Sequence, residues 1–162
     1  MRTERFRRDP TTRGGLDDLY QELILDHYRR PRNRRKLDDA NCVAEGDNPL
    51  CGDHVEIYLK VRDNVVEDVT FQGGGCAIST ASASIMTETL KGKTLDEAKE
   101  IFKNVHRMLT GQRTTIRENG SLGKLEVFSG VCRYPARVKC ATLAWHTFDA
   151  ALDQKDAVVS TE

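Results

Sequence analysis

No stretch of this 162-residue chain is apolar over anything like the ~20 residues that a bilayer-crossing helix needs. The first residues also lack the apolar run of a secretory signal, so a cytoplasmic protein, not held in a membrane, is expected. Net charge is absent too: Lys plus Arg and Asp plus Glu each number 25, and no single-sign field recruits nucleic acid. Aromatic residues make up only 6% of the chain and hydrophobic residues 38%, enough for a modest core in one domain. Missing, finally, is any C-x-x-C pair, the spacing that announces a structural zinc site. What the chain does have is five cysteines, Cys42, Cys51, Cys76, Cys132 and Cys140. An odd number of thiols without an export signal argues against a disulfide framework and for metal binding or thiol chemistry.

Charge is balanced globally but not locally. Arg2, Arg5, Arg7, Arg8 and Arg13 crowd the first residues with no apolar period among them, so residues 1–14 are expected to form a disordered extension. A second run, Arg29, Arg30, Arg32, Arg34, Arg35 and Lys36, follows a predicted helix. It reads as a solvated helix end whose cations complement the dipole rather than as a docking patch. Neither run is interleaved with aromatics, and Gly73-Gly74-Gly75 lacks the Lys-Ser/Thr of a phosphate loop, so nucleic acid and nucleotide are not expected partners.

Leu16, Leu19, Tyr20, Leu23, Ile24, His27 and Tyr28 recur at helical spacing before Pro31, which predicts the first helix. His27 falls on the apolar stripe and reads as a core histidine rather than a ligand. From Asp53 the period becomes two: Val55, Ile57, Leu59 and Val61 face one way and His54, Glu56, Tyr58 and Lys60 the other. Asp63-Asn64 turns the chain, and Val65 to Gln72 returns as the second strand of a hairpin. The triglycine ends that strand and Cys76 opens a helix running to Leu90. Thr94-Leu95-Asp96-Glu97 is a capping-box pattern for the next helix, which ends near Gly111. Residues 111–124 read as a long loop, Leu125 to Val131 as a short apolar segment, and Pro135 as the first residue of a last helix buried through Val138, Ala141, Trp145, Phe148 and Leu152. The domain is thus expected over 15–153, with a frayed tail at 154–162. The order predicts an α+β fold, a small antiparallel sheet with helices packed on one face.

Three cysteines lie at element boundaries, where sites are commonly built. In Asn48-Pro49-Leu50-Cys51-Gly52-Asp53 the proline stiffens the approach and the glycine lets the backbone turn, so a thiolate and a carboxylate can converge. Cys76 sits at a helix N-terminus and Cys140 among Arg137 and Lys139, settings that favour ionised sulfur. Three thiolates and the Asp53 carboxylate would complete a tetrahedral site for zinc, or for iron–sulfur chemistry, rather than for magnesium or calcium. Spacing alone leaves open the alternative of scattered structural cysteines. Cys42 or Cys132 could replace Asp53 as the fourth ligand, although both read as small buried hydrophobes.

Taken together, Asn48-Pro49-Leu50-Cys51-Gly52-Asp53, Gly75-Cys76-Ala77-Ile78-Ser79 and Arg137-Val138-Lys139-Cys140-Ala141-Thr142-Leu143-Ala144-Trp145 resemble the three cysteine motifs of SufU-type members of the IscU/NifU superfamily. Leu25-Asp26-His27-Tyr28-Arg29-Arg30-Pro31 and Lys91-Gly92-Lys93-Thr94-Leu95-Asp96-Glu97-Ala98 resemble it as well, so that the likeness runs from about Leu16 to Leu152. The long stretch between Cys76 and Cys140, and Lys139 where the scaffold type carries a histidine, are similar to the SufU branch. The resemblance implies a SufE/NifU-like fold and a sulfurtransferase that accepts persulfide sulfur from a SufS-type cysteine desulfurase. It further implies Cys51, Asp53, Cys76 and Cys140 as zinc ligands, Cys51 as the sulfur acceptor, Arg137 at the desulfurase interface, and a SufBCD-type scaffold downstream. Two other readings remain: a scaffold carrying a [2Fe–2S] cluster on the same cysteines, and a zinc-stabilised interaction module without catalysis. The Arg-rich extension is a departure from the family pattern and has no assigned role.

Overall fold

The computed structural model describes residues 13–111, 123–153 and 159–160. The disordered extension expected at 1–14 lies outside them except for Arg13 and Gly14, as do most of the 111–124 loop and of the 154–162 tail. Helix α1 spans Arg13–Arg29, followed by strands β1 Cys42–Asn48, β2 Asp53–Arg62 and β3 Val65–Gly74. Helices α2 Ala77–Leu90 and α3 Leu95–Leu109 come next, then short 3₁₀ turns at Gly123–Phe128 and Val131–Arg133, and helix α4 Pro135–Leu152. The strands form an antiparallel sheet in the order β3-β2-β1, and a two-residue strand β4, Val159–Ser160, lies parallel to the outer edge of β1. The α+β class expected from the order of elements is the one observed.

The β2–β3 hairpin turns on Asp63 and Asn64, both at positive φ (52° and 62°), the tight-turn geometry that the right-handed strand twist favours. Val55, Ile57 and Leu59 of β2 and Val69 and Phe71 of β3 are buried on one face, with α2 and α4 across them. Each fully buried side chain of this size contributes about 1.5–3 kcal/mol. Trp145 of α4 is fully buried and donates from Nε1 to Ser82 Oγ at 3.1 Å, while Ser82 donates to the Ala141 carbonyl at 2.6 Å. Thr94 caps α3 as the sequence predicts, accepting from the Glu97 N–H at 3.1 Å, and Pro135 occupies the first turn of α4.

Strand β1 has no counterpart in the sequence reading. Its inward positions are Cys42, Ala44, Gly46 and Asn48, too small and polar to declare a strand. Their smallness is what the fold uses, because α4 presses onto β1: a Cβ at Gly46 would lie 3.0 Å from Leu143 Cδ1 and closer still to Thr147. The apolar segment after Gly123, given no conformation by the sequence, winds into a 3₁₀ turn that buries Leu125, Val127 and Phe128.

His27 is a core histidine, as read from its place on the stripe. It is fully buried, and its Nδ1 lies 2.7 Å from Ser84 Oγ. Ser84 Oγ also accepts from the Arg32 N–H at 2.9 Å, so one hydroxyl ties the helix histidine to the chain that follows α1. Glu88 Oε1 is 3.5 Å from Nε2, near enough to attract but not to hydrogen-bond. Burial, followed by the Arg32 charge, holds the His27 pKa below its ordinary value. The neutral form is thus favoured on folding, while the unfolded chain takes up a proton below about pH 6.5. Stability is therefore expected to fall as pH drops below about 6.5, toward and through the lowered folded value. Half-buried His146 acts with the same sign, and His54, raised by Asp47, with the opposite sign above that pH. Thermal melts across pH 5–7 should show a smaller acid loss for His27→Asn than for the parent protein; equal slopes would refute the assignment.

Candidate metal centre

The site is built where three elements end together. Strand β1 finishes at Asn48, the turn Pro49-Leu50-Cys51-Gly52 is closed by the Cys51 N–H donating to the Asn48 carbonyl at 3.2 Å, and Gly52 takes φ +70° so that β2 can start at Asp53. Cys51 is left exposed on this turn, whereas Asp53 points inward and is 2% exposed. Beside it β3 ends in the triglycine. Gly75 crosses directly over Asp53, and Cys76 caps α2, its N–H donating to Asp53 Oδ1 at 2.8 Å and its Sγ accepting from the Ser79 N–H at 3.4 Å. Cys140, in the second turn of α4, is fully buried with its Sγ 3.3 Å from that of Cys51.

The ligand atoms of Cys51, Asp53 and Cys140 lie within 4.8 Å of one another, and Cys76 Sγ is 3.8 Å from Asp53 Oδ2. Separations of roughly 3.5–3.8 Å are what a tetrahedral ion with ~2.3 Å bonds to sulfur requires between its ligands. One carboxylate oxygen is fixed by the Cys76 N–H, leaving Oδ2 to face the thiols. The donor set, two sulfurs and one oxygen around a shared point with the Cys76 sulfur beside that oxygen, fits zinc and fits iron. The four residues singled out by sequence are thus brought together, Cys76 through Asp53.

Asn48 is the neighbour to which sequence reasoning gave no role. Its Nδ2 lies 3.5 Å from both Asp53 Oδ2 and Cys140 Sγ, and its Oδ1 is buried without a partner. It is a fixed donor aimed between the carboxylate and the deepest thiol. Its only signal in the sequence is its place at the head of the Asn48-to-Asp53 turn.

The electrostatics of Cys140 correct one expectation. Arg137 and Lys139 do not leave its sulfur ionised: burial pushes the thiol up, and its contacts with Cys51, Asp53 and Cys76 push the same way. Arg137 is exposed to solvent while Cys140 is fully buried, so desolvation outweighs the nearby cations. A bound cation is what would reverse this, since coordination deprotonates a thiol.

The remaining candidates lie apart from this group. Arg137 is exposed in the first turn of α4, where with Tyr134, Ala77 and Ile78 it lines a cavity of about 610 Å³. Cys42 is buried in β1, as read, but Cys132 is half-exposed, its Sγ 3.5 Å from the Ser129 carbonyl. No helix among the described residues is long and apolar enough to cross a membrane.

The model of the NifU-like N-terminal domain matches residues 19–141 of the chain, which includes all four converging residues. The chain belongs to this family. Among its relatives, the zinc-dependent sulfurtransferase SufU of Bacillus subtilis (strain 168) is 40% identical over 141 residues, 87% of this chain and 94% of that protein. The iron–sulfur cluster assembly scaffold protein IscU of Thermotoga maritima is 42% identical over 134 residues, 83% of this chain and 92% of that protein. A crystal structure described as a putative iron–sulfur cluster assembly scaffold protein for the SUF system of Fervidobacterium islandicum AW-1 superposes with a TM-score of 0.76. It is 40% identical, with 81% of this chain and 94% of that chain covered. The family therefore contains both sulfurtransferases and scaffolds by name, and the choice between them rests on this chain's own site.

Proposed function

We propose that this protein is a zinc-dependent sulfur carrier of iron–sulfur cluster assembly. It accepts persulfide sulfur on Cys51 from a SufS-type cysteine desulfurase and passes it to a SufBCD-type scaffold. The observation that carries this reading is the unequal exposure of the three thiols. Cys140 is fully buried and Cys76 half-buried, so Cys51 alone of the group stands on the surface where another protein's persulfide can meet it. The likeness to the Bacillus sulfurtransferase over nearly all of both chains supports the same choice.

In this reading Cys51, Asp53, Cys76 and Cys140 are the zinc ligands. Bound there, zinc would supply charge that keeps thiolates deprotonated without any redox change. The chain's own residues do the rest. Asp53, locked by the Cys76 N–H, and Asn48 keep the pocket in register. The Pro49-to-Gly52 turn presents Cys51 outward, and Arg137 lies on the same end of the fold, available to a docked desulfurase.

The test is cysteine-dependent turnover by a cysteine desulfurase, with and without the zinc-loaded protein and with no iron present. A strong rise is expected, and no rise would sink the proposal. Asp53→Ala is expected to weaken zinc retention about tenfold or more, judged against the 10–100-fold cost of losing even an outer partner of a metal site. Unchanged zinc content after dialysis against a chelator would contradict the ligand assignment.

A second reading is favoured by one observation, the donor set itself. Three thiols and a carboxylate serve iron as readily as zinc, and the Thermotoga relative is named a scaffold. If iron and sulfide build a [2Fe–2S] chromophore on the protein while desulfurase turnover stays flat, the scaffold reading replaces the carrier.

A further inference from the structure

The basic run after α1 is not simply a solvated helix end. Of its cations, Arg30 and Arg32 are engaged by Asp26, and Arg35 by Asp68 at 3.0 Å. Arg29, Arg34 and Lys36 have no carboxylate partner among the described residues. Arg34 differs from the other two in being fixed in place. Asn33 turns the backbone at φ +59°, its carbonyl accepts from the Phe71 N–H at 3.0 Å, its amide donates to Thr87 Oγ1 at 3.1 Å, and Arg34 itself forms a parallel bridge with Phe71 of β3.

This strapping carries the Arg34 side chain along β3 to the metal centre. Its Nη2 lies 3.8 Å from where a Cβ of Gly74 would be, two residues before Cys76, and Thr80 Oγ1 of the first α2 turn lies 3.0 Å from that position. Gly74 pairs in register with His54, the residue after Asp53. The triglycine offers no side chain to cover this spot. An exposed guanidinium with no carboxylate partner among the described residues therefore sits on bare backbone at the edge of the thiol cluster, held by a backbone that cannot swing it away.

The geometry points to Arg34 as a docking residue that engages a carboxylate on the surface of the sulfur-donating partner, beside that partner's persulfide cysteine. The inference rests on the sulfur-carrier reading and adds to it the partner's chemistry. A donor docking over Cys51 must also cover the Gly74 edge, and an acidic side chain there would form the forked, charge-assisted pair for which guanidinium is suited. A pair at the rim of an interface governs encounter and salt dependence more than the chemical step. Arg34 thus acts in binding and is not a catalytic residue.

The experiment is a titration of zinc-loaded protein into a cysteine desulfurase at low and high salt, comparing the parent with Arg34→Glu, Arg34→Lys and, as a control for net charge, Lys99→Glu on the exposed side of α3. For Arg34→Glu the half-saturating concentration is expected to rise roughly tenfold at low salt, with maximal turnover and zinc content unchanged and the gap narrowing as salt screens the pair. Arg34→Lys should recover part of the loss and Lys99→Glu should show none. Arg34→Glu titrating like the parent, losing zinc, or losing as much as Lys99→Glu would overturn the inference while the carrier reading stands. Failure of the parent itself to raise turnover would overturn both.

Discussion

Replacing Cys51 by serine is expected to reduce sulfur acceptance by roughly a hundredfold or more, the scale on which removal of a nucleophile acts. The proposed transfer is a thiol–disulfide exchange. In it the Cys51 thiolate would attack the outer sulfur of the donor's cysteine persulfide, a new S–S bond forming on Cys51 as the donor's S–S bond breaks with its electron pair leaving on the donor cysteine. That thiolate takes a proton, and no outside oxidant or reductant is consumed. A serine hydroxyl at Cys51 cannot ionise at neutral pH, and a sulfenyl group on oxygen is not an equivalent product. The check is the mass of the protein after incubation with desulfurase and cysteine: the parent should gain one sulfur atom on Cys51 and Cys51→Ser none. Sulfur appearing on the variant, through Cys76 or the half-exposed Cys132, would show that the acceptor has been assigned to the wrong thiol. Cys132→Ser should behave as the parent does, because Cys132 is not among the converging ligand atoms and its Sγ lies 3.5 Å from the Ser129 carbonyl.

The burial pattern explains why one thiol in the cluster is suited to exchange. Cys140, with burial and three neighbouring groups raising its pKa, holds its proton in the absence of a cation, and no partner protein reaches it. Cys76 is tied to its helix by the Ser79 N–H, which fixes the sulfur as a ligand more than as a nucleophile. Cys51 stands on a turn outside the sheet, between the exposed Leu50 and Gly52. A site with one outward and two inward sulfurs can hold a metal with its inner face and exchange sulfur at its outer one.

How much of this was legible in the sequence depended on where burial comes from. The β2–β3 hairpin and α3 are written in apolar period and in caps, and Asp63-Asn64 and Thr94-to-Glu97 behave as read. Strand β1 was not legible, because Cys42, Ala44, Gly46 and Asn48 are buried by the close approach of α4 and not by their own hydrophobicity. The four converging residues were visible as thiols and a carboxylate at element ends. Two things were not. Asn48 is a neutral amide whose importance lies in pointing at Asp53 and Cys140, a contact that spans 92 residues for the latter. The ionisation of Cys140 was misjudged because its burial, which nearby residues in sequence do not declare, outweighs the cations Arg137 and Lys139. The basic run after α1 was likewise read as a helix end, and only the bridge to Phe71 separates Arg34 from its neighbours.

Gly75→Ala is expected to release the metal as completely as loss of Asp53 itself, although it removes no ligand. The residue sits at φ +155°, a region that side chains rarely adopt. A Cβ there would lie 2.9 Å from the Cα of Asp53 and closer still to its Oδ1. That oxygen is the one held by the Cys76 N–H, so the methyl group cannot enter without breaking the bond that orients the carboxylate or shifting the start of α2 that carries Cys76. Two of the four donors move together, and zinc affinity should drop by about tenfold or more. Bound zinc stabilises the folded form in proportion to its affinity, so the melting temperature of the parent should rise on adding zinc while that of Gly75→Ala should hardly respond. The far-ultraviolet spectrum separates this from misfolding, since the helices and hairpin do not depend on the site. Gly52→Ala, at φ +70° but with nothing within 4 Å of its Cβ, isolates backbone strain from the clash and should lose much less zinc. A full zinc-induced rise in Gly75→Ala would mean that Asp53 is not held for the metal by the triglycine crossing.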